Sequence, residues 1–161
     1  MIAVADTSPL NYLVLIDEIE LLPILFERIL APHEVLRELA HPRASLKVRE
    51  WTEHPPAWLQ VEAVRGSTAN HQLIGLDAGE REAIQPAFEA NIGTVLIDEA
   101  QGRSVAQALG LEVRGTLAIL ERAARLGKID FRRALGKLSQ TSFRISTEVQ
   151  QAFLAPNLKA L

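Results

Sequence analysis

The sequence contains no cysteine. That excludes a disulfide framework, a thiol nucleophile and a cysteine-ligated zinc or iron–sulfur centre. It has no apolar run near the roughly 18–20 residues a membrane span needs. The opening stretch MIAVADTSPL lacks a basic n-region and carries Asp6 inside its apolar run, so it does not read as a signal peptide. A soluble, cytoplasmic protein is therefore expected. No GxxxxGK[ST] is present to hold phosphates, no GxGxxG follows a strand, and no GxSxG offers an acyl-transfer nucleophile. The four histidines (His33, His41, His54 and His71) show no metal-ligand spacing and are expected at the surface.

What is present is 161 residues, 48% of them apolar, enough for one domain with a sizeable core. The charge is unevenly placed. Residues 1–102 hold 7 Lys/Arg against 16 Asp/Glu, and residues 103–161 hold 10 against 4. The overall charge of −3 thus hides an acidic front and a basic back. A basic segment of this kind suits a polyanionic partner or, more plainly, a solvated Arg-rich helical surface.

Short apolar runs alternate with helical patterns. Ile2–Ala5 reads as a buried strand, followed by a helix with Ser8 as N-cap and Pro9 at its first position. A short helix over about 19–26, a strand over 28–31 and a helix opened by Pro32 follow. Leu46, Val48 and Trp51 mark another helix. Residues 58–64 form a strand or an edge hairpin, and 66–70 a turn. Asp77-Ala-Gly-Glu80 is a capping signature, and the helix behind it is expected to bury Ala83, Ile84, Ala87 and Phe88. Pro86 is expected to interrupt that helix. Thr94–Ile97 is a strand, and the next helix stops at Gly110. Glu112–Arg114 is a strand. Thr116 caps a helix that stops at Gly127, and helices near 130–139 and 147–154 close the chain. The alternation implies an α/β fold with a central, mostly parallel sheet covered on both faces. Ligands of such folds sit beyond the carboxyl ends of the strands.

Both of the best strands end in aspartate, Asp6 and Asp98, the latter followed by Glu99. A carboxylate beside an apolar strand must be solvated, paired or metal-bound. Each could equally be a turn or cap residue, and a one-residue slip would exchange Asp98 for Glu99. Glu38 lies at the edge of the buried face of its helix. Glu80 is a capping-box side chain that also shares a face with Ala83, Ile84 and Ala87, whereas Glu82 points elsewhere. An oxygen-only set of this kind suits Mg²⁺ or Mn²⁺. Such an ion relieves the mutual repulsion and can polarise a phosphodiester and activate water.

The segments VADTSPL, PHEVLREL, LDAGEREAI, VLIDEAQGRSVAQALGLEVRGT and FRIS, in this order, resemble a PIN-domain protein of the branch related to VapC-type toxin ribonucleases. The match spans nearly the whole chain. The resemblance implies a three-layer α/β/α sandwich over residues 1–161, with 128–161 as a C-terminal helical extension. It implies a Mg²⁺- or Mn²⁺-dependent endoribonuclease with Asp6, Glu38, Glu80 and Asp98 (or Glu99) as catalytic metal ligands. Glu82 replaces Glu80 if the alignment slips. Thr7 or Ser8 matches an assisting hydroxyl residue. Arg103, Arg114 and the cluster at 122–133 are candidates for RNA phosphates. RNA, a small antitoxin protein and a second copy of the chain are the implied partners. Glu80 departs from the Asp that many relatives carry. The competing expectations are a catalytically inactive PIN-fold module that binds RNA or protein, and, more remotely, a phosphoacceptor domain using Asp98.

Overall fold

The computed structural model describes residues 1–62, 75–89 and 91–145, together with 147 and 151. The turn expected at 66–70, His71 and most of the helix expected at 147–154 lie outside the described residues.

Among the described residues, five strands form one fully parallel sheet: β1 (Ile2–Ala5), β2 (Arg28–Pro32), β3 (Leu59–Glu62), β4 (Thr94–Leu96) and β5 (Glu112–Arg114). Their spatial order is β3-β2-β1-β4-β5. Val4 sits opposite Leu30 on one side and Val95 on the other. Because side chains alternate across a strand, this register sorts them cleanly. Ala3, Ala5, Ile29, Ala31 and Leu96 face one apolar cluster, and Val4, Leu30, Val95 and Ile97 face a second.

Helices cover both faces. The first cluster takes α1 (Thr7–Leu15), α2 (Leu21–Leu25), α7 (Thr116–Arg125) and α8 (Phe131–Leu138), with side chains from α3 (His33–Leu39) and α4 (Leu46–Glu53). The second takes α5 (Ala78–Glu89) and α6 (Ala100–Ala108) through Ala83, Ile84, Ala87 and Ala106. The result is the three-layer α/β/α sandwich that the sequence pattern implies. The helix α3 packs on α1, α4 and α5 as well as on its own strand, which brings Glu38 towards the end of the sheet.

Several local expectations shift. The helix α1 begins at Thr7 with Asp6 as N-cap, two residues earlier than Ser8-Pro9 suggests. Pro9 is then the third helical residue, where its missing N–H has no intrahelical partner to lose. Gly115, not Thr116, caps α7. The helix α5 runs across Pro86 to Glu89, so the proline removes a bond without ending the helix. Phe88 is exposed. It stands about 100° round the helix from Ala87, beyond the narrow stripe that Ala83, Ile84 and Ala87 lay on the sheet. The strand at 59–62 pairs in parallel with β2 and lies at the edge of the sheet among the described residues.

The expected glycine stops are present. Gly110 and Gly127 have φ of 80° and 66°, the left-handed conformation that glycine adopts at low cost. Behind each, a residue's N–H reaches back five positions: Leu111 to the Ala106 carbonyl at 3.0 Å and Lys128 to the Ala123 carbonyl at 2.9 Å. This is a Schellman closure in both cases. Among the described residues no helix is long and apolar enough to cross a membrane.

The strand order reverses between β1 and β4. Chains leaving their carboxyl ends diverge there, which opens the crevice where α/β sheets hold ligands. Asp6 and Asp98 lie just past the ends of these two strands.

The two apolar clusters lie on opposite sides of the sheet, so they should respond independently. Ile84→Val and Ile119→Val, both at fully packed sites, should each cost about 0.5–1.5 kcal/mol. Denaturant melts of the double variant should give the sum to within about 0.5 kcal/mol. A larger coupling would contradict the layered arrangement.

Candidate active site

Asp6 leaves β1 with its backbone N–H bonded to the Leu96 carbonyl at 2.9 Å, which ties it to the end of β4. Its side chain is 3% exposed. Desolvation raises its carboxyl from the ordinary 3.8 to about 7; the Thr7 backbone N–H opposes this, and the charges of Asp77, Glu38 and Glu80 add to it. Asp6 is thus a buried acid surrounded by other acids.

Glu38 reaches the same place from α3. Val35 and Leu39 on either side of it are buried and fix which way the helix faces. The Thr7 hydroxyl donates a short hydrogen bond to Glu38 Oε2, so the residue next to Asp6 holds Glu38 directly. Both carboxylates press on the first turn of α5. A methyl group on Gly79 would lie 2.9 and 3.0 Å from the two Glu38 oxygens and 3.1 Å from Asp6 Oδ1. The two acids therefore converge on one point.

Glu80 has the two roles that its sequence position allows. It closes a capping box, accepting the Asp77 N–H at 3.1 Å while Asp77 Oδ1 accepts the Glu80 N–H at 2.8 Å. It is also 5% exposed and acts electrostatically on Asp6. Its own carboxyl is pushed up by desolvation; the Asp77 backbone amide pulls it down, Asp77 and Glu99 raise it further, and the Gly102 amide opposes them. Asp77 was read as a cap alone, yet its charge bears on both Asp6 and Glu80. The capping position supplied a sufficient local reason for an aspartate and so concealed its place in the cluster. Glu82 is half-buried further along α5.

Asp98 is held by the start of α7. Its Oδ1 accepts the Thr116 N–H at 2.7 Å and its Oδ2 accepts the Thr116 hydroxyl at 2.6 Å. Desolvation raises its carboxyl, opposed by the two Thr116 bonds and by the charge of Arg103. Asp98 thus joins the end of β4 to the start of α7, with both oxygens engaged. Glu99 is the exposed N-cap of α6 and makes no side-chain cap bond. Ser8 is half-buried on α1, beside Thr7.

The basic candidates separate as well. Arg103 is exposed on α6, at the carboxyl edge and close enough to lower the Asp98 carboxyl. Arg114 forms a short ion pair with Glu112. The 122–133 cluster lies at the opposite edge of the sheet. Arg122 stacks 5.8 Å over Phe26, which precedes the start of β2, and the ten residues of α7 span about 15 Å. His33, His41 and His54 are exposed.

No Lys, Arg or His among the described residues forms an ion pair with Asp6, Glu38 or Glu80. Nor do three His, Cys, Asp or Glu side chains among them close into a metal cage. The four-acid ligand set expected from the sequence is therefore not gathered as one. Asp6 and Glu38 meet, Glu80 stands beside them, and Asp98 is held by Thr116. This arrangement still fits a small hard cation. Mg²⁺ commonly takes only one or two carboxylates and keeps several waters, and the two converging carboxylates have no protein cation between them.

A protein-family model described as a PIN domain matches residues 2–157. No curated protein and no solved structure matches the chain.

Two predictions follow from the electrostatics. The raised Asp6 carboxyl means that the folded state holds its proton more tightly than the unfolded chain. Its contribution to stability is therefore lost as pH rises from about 4 to about 7. In the presence of chelator, Asp6→Asn should raise thermal stability at pH 8, by on the order of 4 kcal/mol, and change it little at pH 4. Equal effects at both pH values would contradict the burial argument. Thr116→Val should cost about 1–3 kcal/mol, because it leaves one Asp98 oxygen unpartnered. Chemical denaturation measures this.

Proposed function

The chain belongs to the PIN-domain family, whose fold generally carries nucleases, and from this we propose that it is a divalent-metal-dependent endoribonuclease. The observation that carries the reading is the meeting of Asp6 and Glu38 at the switch point of the sheet, with no cation from the described residues to neutralise them. Asp6 and Glu38 would hold Mg²⁺ or Mn²⁺ directly. Glu80, Asp98 and Glu99 would act on its waters. When bound, the ion supplies charge neutralisation, a polarised phosphodiester and an activated water. Hydrolysis would leave a 5′-phosphate and a 3′-hydroxyl.

The chain's own residues do the positioning. Thr7 fixes the Glu38 carboxylate, with Ser8 beside it. Asp98 fixes the start of α7 through Thr116 and so shapes the wall of the crevice beside β4. Arg103, exposed at that edge, can meet an RNA phosphate. Arg114 can do so only by exchanging its bond to Glu112. The proposed setting is that of a VapC-type toxin: a cytoplasmic protein, a small antitoxin protein as inhibitor, a homodimer as the working form, and residues 128–161 as a helical extension of the domain.

One observation favours the second reading, a PIN-fold module that binds RNA or protein without turnover. The acids do not close into a three-ligand cage among the described residues. Cleavage assays separate the two. With Mn²⁺, the wild type should cut single-stranded RNA and chelator should abolish the cut. Asp6→Asn and Glu38→Gln should each lower the rate by more than the roughly 10–100-fold that outer partners of metal ligands are worth. Retention of RNA with no metal-dependent product from any variant would establish the binding module instead.

A further inference from the structure

Three glycines stand against the acids of the crevice. Methyl groups on them would meet Glu38 and Asp6 at Gly79, Glu80 at Gly102 and Asp98 at Gly115. Two of the three have another reason to be glycine or another role. At Gly102 the methyl would also strike Ile97 Cδ1 at 2.5 Å, so core packing alone requires the small residue. Gly115 is the N-cap of α7, a position that glycine fills well.

Gly79 has neither. It lies within the first turn of α5, and it is not among the positive-φ residues, so its backbone suits any L-residue. In a helix glycine is less favourable than alanine. The three atoms nearest the missing Cβ are all carboxylate oxygens, two of Glu38 and one of Asp6.

We infer that Gly79 is a positioning residue for the metal site, its bare α-carbon forming the seat that lets the Asp6 and Glu38 carboxylates approach each other. The inference rests on the metal-dependent reading given above. An alanine would displace the oxygens by a few tenths of an ångström. Glu38 is tethered by Thr7 and Asp6 is buried on a short side chain, so the displacement falls on their relative placement. The ends of these side chains can give without disturbing the core, so the fold survives. Mg²⁺ demands near-ideal geometry, so its binding does not.

Gly136 provides the control. It too is helical, in α8, with nothing within 4 Å of an added methyl. Melting temperatures of wild type, Gly79→Ala and Gly136→Ala should be measured in chelator and in Mn²⁺, with Mn²⁺ affinity measured by calorimetry. In chelator both variants should melt at or above the wild-type temperature. In Mn²⁺ the wild type and Gly136→Ala should gain stability equally, whereas Gly79→Ala should gain little and bind Mn²⁺ roughly 10–100-fold more weakly. An unchanged Mn²⁺ response in Gly79→Ala overturns the inference and leaves the metal reading intact. Marked destabilisation of Gly79→Ala in chelator also overturns it, since the glycine would then serve packing. A wild type that neither binds Mn²⁺ nor gains stability from it overturns the metal reading and this inference together.

Discussion

The central constraint in this protein is the desolvation of Asp6. A carboxyl 3% exposed, ringed by Glu38, Glu80 and Asp77, is an unfavourable thing for a fold to create. It persists because the surrounding architecture leaves no alternative. Asp6 is the last step of a central strand, its amide is bonded to the neighbouring strand, and the next residue is already helical. The acid cannot swing out to water without unpicking β1 from β4 or unwinding α1. The energy held there is what a cation could release, and the proposed metal site rests on that release.

The helix α1 shows how the rest of the molecule supports this. Asp6 caps its positive end. At its negative end, Lys47 from α4 donates to the Leu15 carbonyl at 3.1 Å, and Lys137 from α8 donates to the Ile16 carbonyl at 2.9 Å. Both lysines also pair with acids just beyond the helix, Asp17 and Glu18. The two ammonium groups complement the negative end of the helix dipole. Helices that play no direct part in the crevice thereby hold the element from which Asp6 and Thr7 project. Tyr12 on the same helix stacks edge-on against Phe143 at 4.8 Å, which brings the chain beyond α8 into the same support.

The sequence disclosed the fold almost completely because its signals are local and redundant. Short apolar runs of three to five residues and the glycine stops at 110 and 127 mark where elements begin and end, whatever role the aspartates at the strand ends play. The site was legible to a lesser degree. Asp6, Glu38 and Glu80 could be picked out because each sits where a strand ends or a helix face turns inward. The direction of Asp98 could not. Its two bonds to Thr116 span 18 residues of chain, and no local pattern reports which of two neighbouring elements will take its oxygens. Asp77 failed for the opposite reason, since its capping role is so plain locally that it left nothing to explain. Whether Ser8 or Asp6 caps α1 is a matter of two residues, below what Ser-Pro spacing resolves.

The division of charge along the sequence also changes meaning once folded. An acidic front and a basic back suggest acids and arginines facing one another across a site. The topology prevents this for most of the basic residues. The helix α7 starts at Thr116 beside Asp98 and carries Arg122 to the far edge of the sheet, over Phe26. Arg125 there is paired with Glu121. Arg122 and Arg125 lie about 9 and 14 Å along the helix from Thr116, beyond the screening length of about 8 Å in physiological salt, so these cations bias the approach of a polyanion more than they grip a phosphate held at the acids. Of the basic side chains considered for contact, Arg103 alone lies both exposed and at the acidic edge. With so little positive charge from the described residues beside these acids, the proposed phosphodiester substrate would need a cation from solution in order to approach them. The charge pattern and the burial of Asp6 therefore lead, from separate directions, to the same chemical requirement.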